Sequence, residues 1–181
     1  MNKFTLIQKL RNKIRVKGNV ILEISTSAKI ANCDISIKGT NNKLVIDDGV
    51  TIRYTQIEIS GDDCSILIGK NSIVGHDCYI SAKEGKNIVI KDNCMLSRNV
   101  KIMTSDGHYI YQNDKIINYG SDITIQKGVW LTDNVTVLKG VTIGENSVVG
   151  INSTVTKNIS SASIAVGNPA IVVKEGISWK E

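Results

Sequence analysis

The sequence is poor in the residues that fill most globular cores and membrane spans. Only 4% of its 181 residues are aromatic, and Pro169 is the single proline. No apolar run approaches the about 18 residues that a membrane-spanning helix needs. Residues 1–13 also lack the apolar centre and the cleavage site of a secretory signal peptide. We therefore expect a cytoplasmic protein without stable membrane insertion, whose core is narrow and aliphatic.

Ligands for a metal ion are scarce as well. The chain has two histidines, His76 and His108, and four cysteines without any Cys-x-x-Cys pair. A catalytic zinc site of the carbonic anhydrase type needs three histidines, and structural zinc sites need paired cysteines. We expect neither a metal centre nor a disulfide framework. Cys78 and Cys94 each follow an aliphatic residue by four positions and are expected to be small buried residues of a repeat.

The charge balance leaves more than one class of anionic partner open. The formal net charge is +5 at pH 7, from 22 basic and 17 acidic residues. The lysines are scattered and no basic run alternates with aromatic residues, so nucleic acid is not an expected partner. A small anionic cofactor or an acidic glycan accounts for the charge equally well.

The strongest positive signal is a six-residue repeat over residues 125–160. Each hexad has a small or β-branched residue four positions after an aliphatic opener, and the openers are Ile125, Leu131, Val137, Ile143, Val149 and Val155. A period of six matches neither the about 3.6 residues of a helical turn nor the about two of a strand, but it fits a short strand followed by a tight turn. Three such units close a triangular coil of about 18 residues, and stacked coils form a parallel β-solenoid. A β-sandwich is the alternative, but its strands vary in length and seldom keep one phase for so long.

A longer period precedes this stretch. Four isoleucines follow one another at intervals of 22 residues, namely Ile24, Ile46, Ile68 and Ile90. Because 22 is one such coil plus four, each of these coils is expected to carry one enlarged polar corner. We expect a single domain with 22-residue coils over 24–102 and 18-residue coils over 125–166. Residues 1–20, with a short amphipathic helix, and residues 167–181 are expected to cap the two ends.

One segment fits neither period. Ile90 and Ile125 are 35 residues apart, and the 13 residues beyond a 22-residue coil fall within an inserted loop at 103–122. A long loop on a rigid scaffold commonly carries function. This loop contains His108, and imidazole is a general base suited to neutral pH. Asp106 is placed to accept a hydrogen bond from the ring and fix its tautomer; an ordinary loop histidine is the alternative.

The hexad pattern resembles the hexapeptide-repeat acyltransferases, whose fold is a left-handed parallel β-helix. The sequence SDGH at 105–108, followed by the pair Val129-Trp130, is similar to the polysaccharide and sialic-acid O-acetyltransferases of that superfamily. The resemblance implies that His108 is the general base and that Trp130 lies beside the acyl donor or acceptor. Burial of Trp130 against a neighbouring subunit is the alternative. His76 is expected at the surface or between subunits, and Trp179 is expected to pack.

The resemblance also implies acetyl-CoA as cosubstrate, a carbohydrate acceptor, and a homotrimer whose active sites lie between subunits. Besides Trp130, the residues implied in binding acetyl-CoA are Lys139, Gly150, Ile151, Asn152, Lys157 and Lys174. Each lysine taken alone also fits an ordinary solvated charge.

The implied function is acetyl-CoA-dependent O-acetylation of a sugar hydroxyl on a surface polysaccharide, such as capsule or lipopolysaccharide, or on its precursor. Only residues 1–20 or so precede the first clear coil, whereas serine, maltose and galactoside acetyltransferases carry helical N-terminal domains. Two alternatives stay open: an N-acetyltransferase acting on a nucleotide-linked amino sugar, and a non-catalytic trimeric β-helix scaffold.

Overall fold

The computed structural model describes residues 3–180; Met1, Asn2 and Glu181, which belong to the expected end caps, lie outside the described residues. Within that range the chain forms one short helix, α1 (Leu6–Arg11), and 23 strands. The strands up to the inserted loop are β1 (Lys13–Lys17), β2 (Val20–Ile24), β3 (Lys29–Ala31), β4 (Asp34–Lys38), β5 (Asn42–Ile46), β6 (Thr51–Arg53), β7 (Gln56–Ser60), β8 (Ser65–Ile68), β9 (Ile73–Val74), β10 (Tyr79–Lys83), β11 (Asn87–Ile90), β12 (Met95–Leu96) and β13 (Lys101–Met103). The later strands are β14 (Tyr111–Gln112), β15 (Lys115–Ile116), β16 (Ile123–Ile125), β17 (Trp130–Leu131), β18 (Thr136–Val137), β19 (Thr142–Ile143), β20 (Val148–Val149), β21 (Thr154–Val155), β22 (Ser163–Gly167) and β23 (Ala170–Glu175).

Three sheets form the faces of a triangular prism. The seven-stranded face has the order β1-β4-β7-β10-β13-β18-β21, the six-stranded face β2-β5-β8-β11-β16-β19, and the eight-stranded face β3-β6-β9-β12-β17-β20-β22-β23. Neighbouring strands are parallel except for the terminal pair β22 and β23. Because the chain visits the three faces in fixed rotation, each circuit is one coil of a parallel β-helix. The predicted fold class, a left-handed parallel β-helix, is confirmed.

Inward-facing isoleucines stack in register along the prism. On the six-stranded face the register partners of successive coils are Ile24, Ile46, Ile68 and Ile90. Ile90 then pairs with Ile125, directly across the inserted loop. All five side chains are at most 1% exposed, since alternate residues of each strand point into the prism. The core is therefore one continuous aliphatic column.

Residues in the left-handed backbone region turn the corners. At the edge between the eight-stranded and seven-stranded faces, Asn99, Asn134 and Asn152 have φ of 56°, 61° and 59°. Their amides form a ladder, with Asn99 Nδ2 2.8 Å from Asn134 Oδ1 and Asn134 Nδ2 2.9 Å from Asn152 Oδ1. We name this the asparagine edge. Cys78 and Cys94 lie at corners and are buried, which confirms the prediction for both.

Short elements cover both ends of the prism. The helix α1 packs on the first coil through the buried Gln8, and Phe4, just before the helix, is buried in the core. At the other end β23 folds back antiparallel on β22, and the Asn168–Pro169 peptide bond between them is cis. No helical segment of residues 3–180 is long and apolar enough to cross a bilayer.

Candidate active site

The inserted loop is fastened to the prism at its two ends. It leaves β13 at the edge between the seven-stranded and six-stranded faces, which we name the loop edge, and its middle forms the antiparallel hairpin of β14 and β15. At its start, the hydroxyl of the buried Thr104 accepts from Lys83 N at 2.8 Å and donates to Lys83 O at 3.1 Å. At its end, Ser121 N donates to Thr104 O at 3.0 Å. The loop therefore begins and ends at fixed points.

A carboxylate that sequence reasoning missed joins the two ends of the loop. Glu84 accepts a hydrogen bond from the Ser105 hydroxyl at one oxygen and from Gly120 N, at 2.8 Å, at the other. Glu84 lies at an enlarged corner of the preceding coil with φ of 59°. Asn, Asp and Gly favour this backbone region more than Glu does. A glutamate in the corner sequence AKEGKN was the one weak signal of its role.

Asp106 anchors the middle of the loop instead of contacting the His108 ring. Its Oδ2 accepts from Lys139 Nζ and, at 2.8 Å, from Asn118 Nδ2. Asn118 Nδ2 also donates to His108 O at 2.9 Å. The hydrogen bond from Lys139 holds the pKa of Asp106 below its usual range. This corrects the predicted contact, because Asp106 fixes the backbone at His108 and not its imidazole.

Lys139 belongs to the same anchor. It lies on the loop edge between β18 and β19, and its side chain is only 20% exposed. Besides Asp106, its ammonium group donates to Asn118 O at 2.8 Å. The resemblance implied that Lys139 binds coenzyme A. In the structure its ammonium group is instead hydrogen-bonded to two residues of the inserted loop.

His108 is exposed beside a groove of about 390 Å³. The groove lies between His108 and the preceding coils and is lined by Ser60, Lys83, Ser105 and Tyr109, among others. Lys83 is paired with Glu58 at 3.1 Å. Hydroxyl groups and an ammonium group can form hydrogen bonds with the hydroxyls of a carbohydrate. The arrangement can present a sugar hydroxyl to an imidazole.

Trp130 lies on another part of the prism. Its register partners on the eight-stranded face are Met95 and Val148, and Met95 is in turn the partner of Ile73. All four side chains face outward and are partly exposed. Trp130 Nε1 donates to Ser97 Oγ at 3.0 Å. We name these four residues the apolar stripe. The stripe is a feature of the surface, since its side chains alternate with those of the core.

Trp179 covers part of Trp130. The two indole rings are 5.5 Å apart at an interplanar angle of 40°. Trp179 Nε1 donates to Gly128 O at 2.8 Å, which holds the C-terminal segment against the prism. The prediction that Trp179 packs is confirmed. Trp130 therefore has a packing partner within its own chain. Its contact with a neighbouring subunit or a ligand stays a prediction.

The remaining predicted site residues are not brought together in one chain. Gly150, Ile151 and Asn152 form a turn on the asparagine edge, with Ile151 exposed. Lys157 is exposed on the loop edge, and Lys174 is exposed on β23 of the eight-stranded face. The predicted site residues thus divide between the loop edge, which holds His108, and the eight-stranded face with its neighbouring edge.

A second groove, of about 600 Å³, runs beside the apolar stripe. Its floor includes Ile73 and Met95, and its rim includes His76 and the ion pair of Arg98 with Asp133. His76 is exposed, as predicted, and its ring stands edge-on to Tyr54 at 4.9 Å. Among residues 3–180, no three His, Cys, Asp or Glu side chains are grouped so as to hold a metal ion.

No family model matches the sequence. Curated proteins and solved structures that are similar to the chain point to one family. The chain is 36% identical over 127 residues to a polysialic acid O-acetyltransferase of Neisseria meningitidis, a match that covers 69% of this chain and 58% of that protein. A second curated polysialic acid O-acetyltransferase, from Escherichia coli, is matched over only 38% of its length. The matched part of the chain thus spans between a third and three fifths of the length of these curated relatives.

Two solved structures are similar over nearly their whole length. The polysialic acid O-acetyltransferase OatWY superposes with a TM-score of 0.82 at 32% identity, covering 92% of this chain and 91% of that one. The polySia-specific acetyltransferase NeuO superposes with a TM-score of 0.76 at 30% identity, covering 96% and 90%. The chain therefore belongs to the hexapeptide-repeat acyltransferases of left-handed β-helix fold, and within them it is similar to the polysialic acid O-acetyltransferases.

Proposed function

We propose that this protein is an O-acetyltransferase that moves an acetyl group from acetyl-CoA to a sugar hydroxyl of a surface polysaccharide or its precursor. The observation that carries the proposal is an exposed histidine, His108, on a loop that Glu84 and Lys139 fasten to a rigid β-helix. Similarity to two polysialic acid O-acetyltransferases over at least 92% of the chain supports the reaction class.

In the proposed reaction, the neutral imidazole of His108 accepts the proton of the acceptor hydroxyl while the oxygen attacks the thioester carbonyl carbon. A backbone N–H of the groove stabilises the oxyanion that forms. The carbon–sulfur bond then breaks, and the coenzyme A sulfur leaves with the proton that the imidazolium returns. The products are an acetyl ester and a free thiol.

The cysteines support direct transfer without an acyl-enzyme intermediate. All four are buried, and burial raises the pKa of both Cys78 and Cys94 to about 11. Because the thiolate is the nucleophilic form, a thiol that stays protonated at neutral pH is a poor acceptor for an acetyl group. We therefore assign no covalent step to the protein.

The donor is proposed to bind on the later coils. Pantetheine is placed along the turn Gly150–Asn152 and beside Trp130, where partly exposed apolar surface can pack against it. Lys157 and Lys174 are exposed and make no ion pair with other residues of 3–180. Their ammonium groups are available for the phosphates of coenzyme A.

A complete site requires more than one copy of the chain. His108 lies on the loop edge, whereas Trp130 lies on the opposite eight-stranded face. The loop also exposes five apolar residues to solvent, Tyr109, Ile110, Tyr111, Ile117 and Tyr119. Exposed apolar groups in such number mark an interface. We place this loop of one copy on the apolar stripe of the next, in a closed threefold assembly with three sites between subunits.

Chemical stability of the product separates O-acetylation from its alternative. Purified protein is incubated with labelled acetyl-CoA and candidate polysaccharides, and the product is analysed by mass spectrometry before and after mild alkali. We expect an adduct of one acetyl group per modified hydroxyl that alkali removes, since esters hydrolyse in mild alkali and amides resist it. An alkali-stable adduct on an amino sugar nucleotide contradicts the proposal. If calorimetry detects no binding of acetyl-CoA, the result contradicts the proposal and favours the non-catalytic scaffold.

A further inference from the structure

The helix α1 is turned with its apolar residues towards solvent. Leu6, Ile7 and Leu10 are 73%, 63% and 78% exposed, whereas Gln8 is only 4% exposed. With about 100° of rotation per residue, the three apolar side chains share one side of the helix and Gln8 lies on the other. This is the reverse of the usual arrangement, in which the apolar side faces the core.

Hydrogen bonds of Gln8 fix this rotation. Its Nε2 donates to Ala28 O at 3.0 Å and to Ser25 O at 3.2 Å, which satisfies carbonyls of the first coil. Its Oε1 accepts from Thr5 N at 2.8 Å, and Thr5 Oγ1 accepts from Gln8 N at 3.2 Å, so the helix start is capped. A rotation that buried Leu6 and Leu10 would break the two bonds from Gln8 Nε2 to the first coil. The apolar side is therefore held outward by the fold.

The N-terminal segment of residues 3–17, which includes the helix, accounts for the net positive charge of the chain. Residues 3–17 contain six cations and no acid, namely Lys3, Lys9, Arg11, Lys13, Arg15 and Lys17. The rest of the chain has 16 basic against 17 acidic residues. Asp34 pairs with Lys13 and Arg15, while the other four make no ion pair within residues 3–180. Lys9 and Arg11 flank the exposed apolar side on the helix itself.

We propose that this N-terminal patch, formed by Leu6, Ile7 and Leu10 with Lys3, Lys9, Arg11 and Lys17, docks on the surface of an anionic phospholipid bilayer. An interfacial helix needs apolar side chains that enter the acyl boundary and cations that meet the headgroups, and the patch has both. The helix has six residues, so it lies on the membrane and does not span it.

Two other occupants each match only one of the two properties of the patch, its positive charge or its apolar surface. An acidic polymer neutralises the cations but leaves three apolar side chains in water. The same patch of a second copy covers the apolar side chains but brings like charges together. Of these three occupants, the anionic bilayer is the one that matches both properties. The inference does not depend on acetyl transfer.

Vesicle sedimentation with the full chain tests the proposal. We expect binding to vesicles of phosphatidylglycerol mixed with phosphatidylcholine and none to pure phosphatidylcholine. Binding should weaken strongly between about 0.1 M and about 1 M salt, as the Debye length falls from about 10 Å to about 3 Å. Equal binding to both vesicle types, or binding to neither, overturns the proposal.

Matched variants separate the two components. Lys9→Gln with Arg11→Gln should weaken binding by about 25-fold, at about fivefold per cation. Leu6→Ser with Leu10→Ser should weaken it by about tenfold or more while leaving the unfolding transition unchanged, because both side chains are exposed. Ile171→Ser with Val173→Ser, exposed apolar residues on β23, is the control and should bind as the parent does.

Two results identify another occupant and contradict the proposal. If the leucine variant changes the oligomeric state in sedimentation velocity and still binds vesicles, the patch is an interface between copies. If the cation variant loses binding to an acidic polysaccharide while vesicle binding persists in both variants, the patch is a polymer site.

Discussion

Lys139 donates a hydrogen bond to the carboxylate of Asp106, a residue 33 positions earlier, and so ties the loop that carries His108 to a coil formed later in the chain. The contact crosses the loop edge, where the corner after β18 lies directly beside the inserted loop. It gives both residues a positioning role in the proposed reaction, distinct from proton transfer or donor binding.

Lys139→Met should lower kcat by about tenfold with the KM for acetyl-CoA nearly unchanged, because the loop loses its anchor while the donor site is intact. Asp106→Asn should have a similar effect, and the double variant should lose less than the sum of the two single effects, since both substitutions break the contact between Lys139 and Asp106. Lys157→Met is the matched control and should raise KM instead. A raised KM for acetyl-CoA in Lys139→Met would contradict the anchoring role and indicate that this lysine binds the donor.

The anchor should be insensitive to pH across the neutral range. The pKa of Asp106 is lowered in the folded protein because Lys139 donates to it, so its contribution is fully present above the unfolded value of about 3.9 and is lost as pH falls through the folded value. The difference in free energy of unfolding between the parent and Asp106→Asn, measured by urea denaturation, should be constant from about pH 5 to about pH 8 and shrink only below about pH 4. A change near pH 6 to 7 points to another group.

Glu84→Ala should loosen the loop without unfolding the prism. The substitution leaves the Gly120 N–H and the Ser105 hydroxyl without their acceptor, which costs about 1–3 kcal/mol locally. Limited proteolysis should cut within residues 104–122 faster than in the parent. Glu84→Gln keeps one carbonyl acceptor and should lie between the two. Equal cleavage of all three proteins would contradict the role assigned to Glu84.

Substituting the cysteines should leave acetyl transfer intact. Burial raises the pKa of Cys78 and Cys94 to about 11, so both thiols stay protonated at neutral pH. Cys78→Ala and Cys94→Ala should therefore keep turnover within about twofold of the parent, apart from a modest loss of stability. In the folded parent, a thiol reagent at pH 8 should label neither residue. A variant that folds but loses turnover would indicate a covalent step.

Mixed assemblies test whether the site lies between subunits. His108→Ala and Trp130→Ala subunits, each inactive alone, are co-expressed with different tags and purified as mixed trimers. Each mixed trimer has one interface at which an intact His108 loop meets an intact Trp130 face, so activity should return to about a third of the parent's. Activity no higher than that of the two single variants would place both residues in one subunit's site.

The periodic part of the fold could be predicted closely from the sequence. Ile24, Ile46, Ile68 and Ile90 are register partners because each coil must return an aliphatic side chain to the same place in the column. Even the 35-residue interval before Ile125 follows this rule, since the loop leaves the register of β11 and β16 undisturbed. The sequence period predicts the structural features that recur in every coil, and the core of a solenoid consists almost entirely of such recurring positions.

The contacts of the inserted loop could not be predicted in the same way. Nothing in the hexad rule pairs Glu84 with both ends of the loop or Lys139 with Asp106, because these contacts depend on the path of a segment that has no period. Adjacency in sequence favoured Asp106 as the partner of the His108 ring. In the structure, the carboxylate instead finds a lysine that only stacking of the coils brings near.

The most direct measurement is the rate of acetyl ester formation by His108→Ala beside His76→Ala, the other histidine in the chain. The general-base role predicts a loss of about 10²- to 10⁴-fold in kcat for His108→Ala, with donor binding preserved in calorimetry. His76→Ala, also exposed, should keep turnover near that of the parent. If His108→Ala forms the ester at the rate of the parent, His108 is not the general base and the proposed mechanism is wrong.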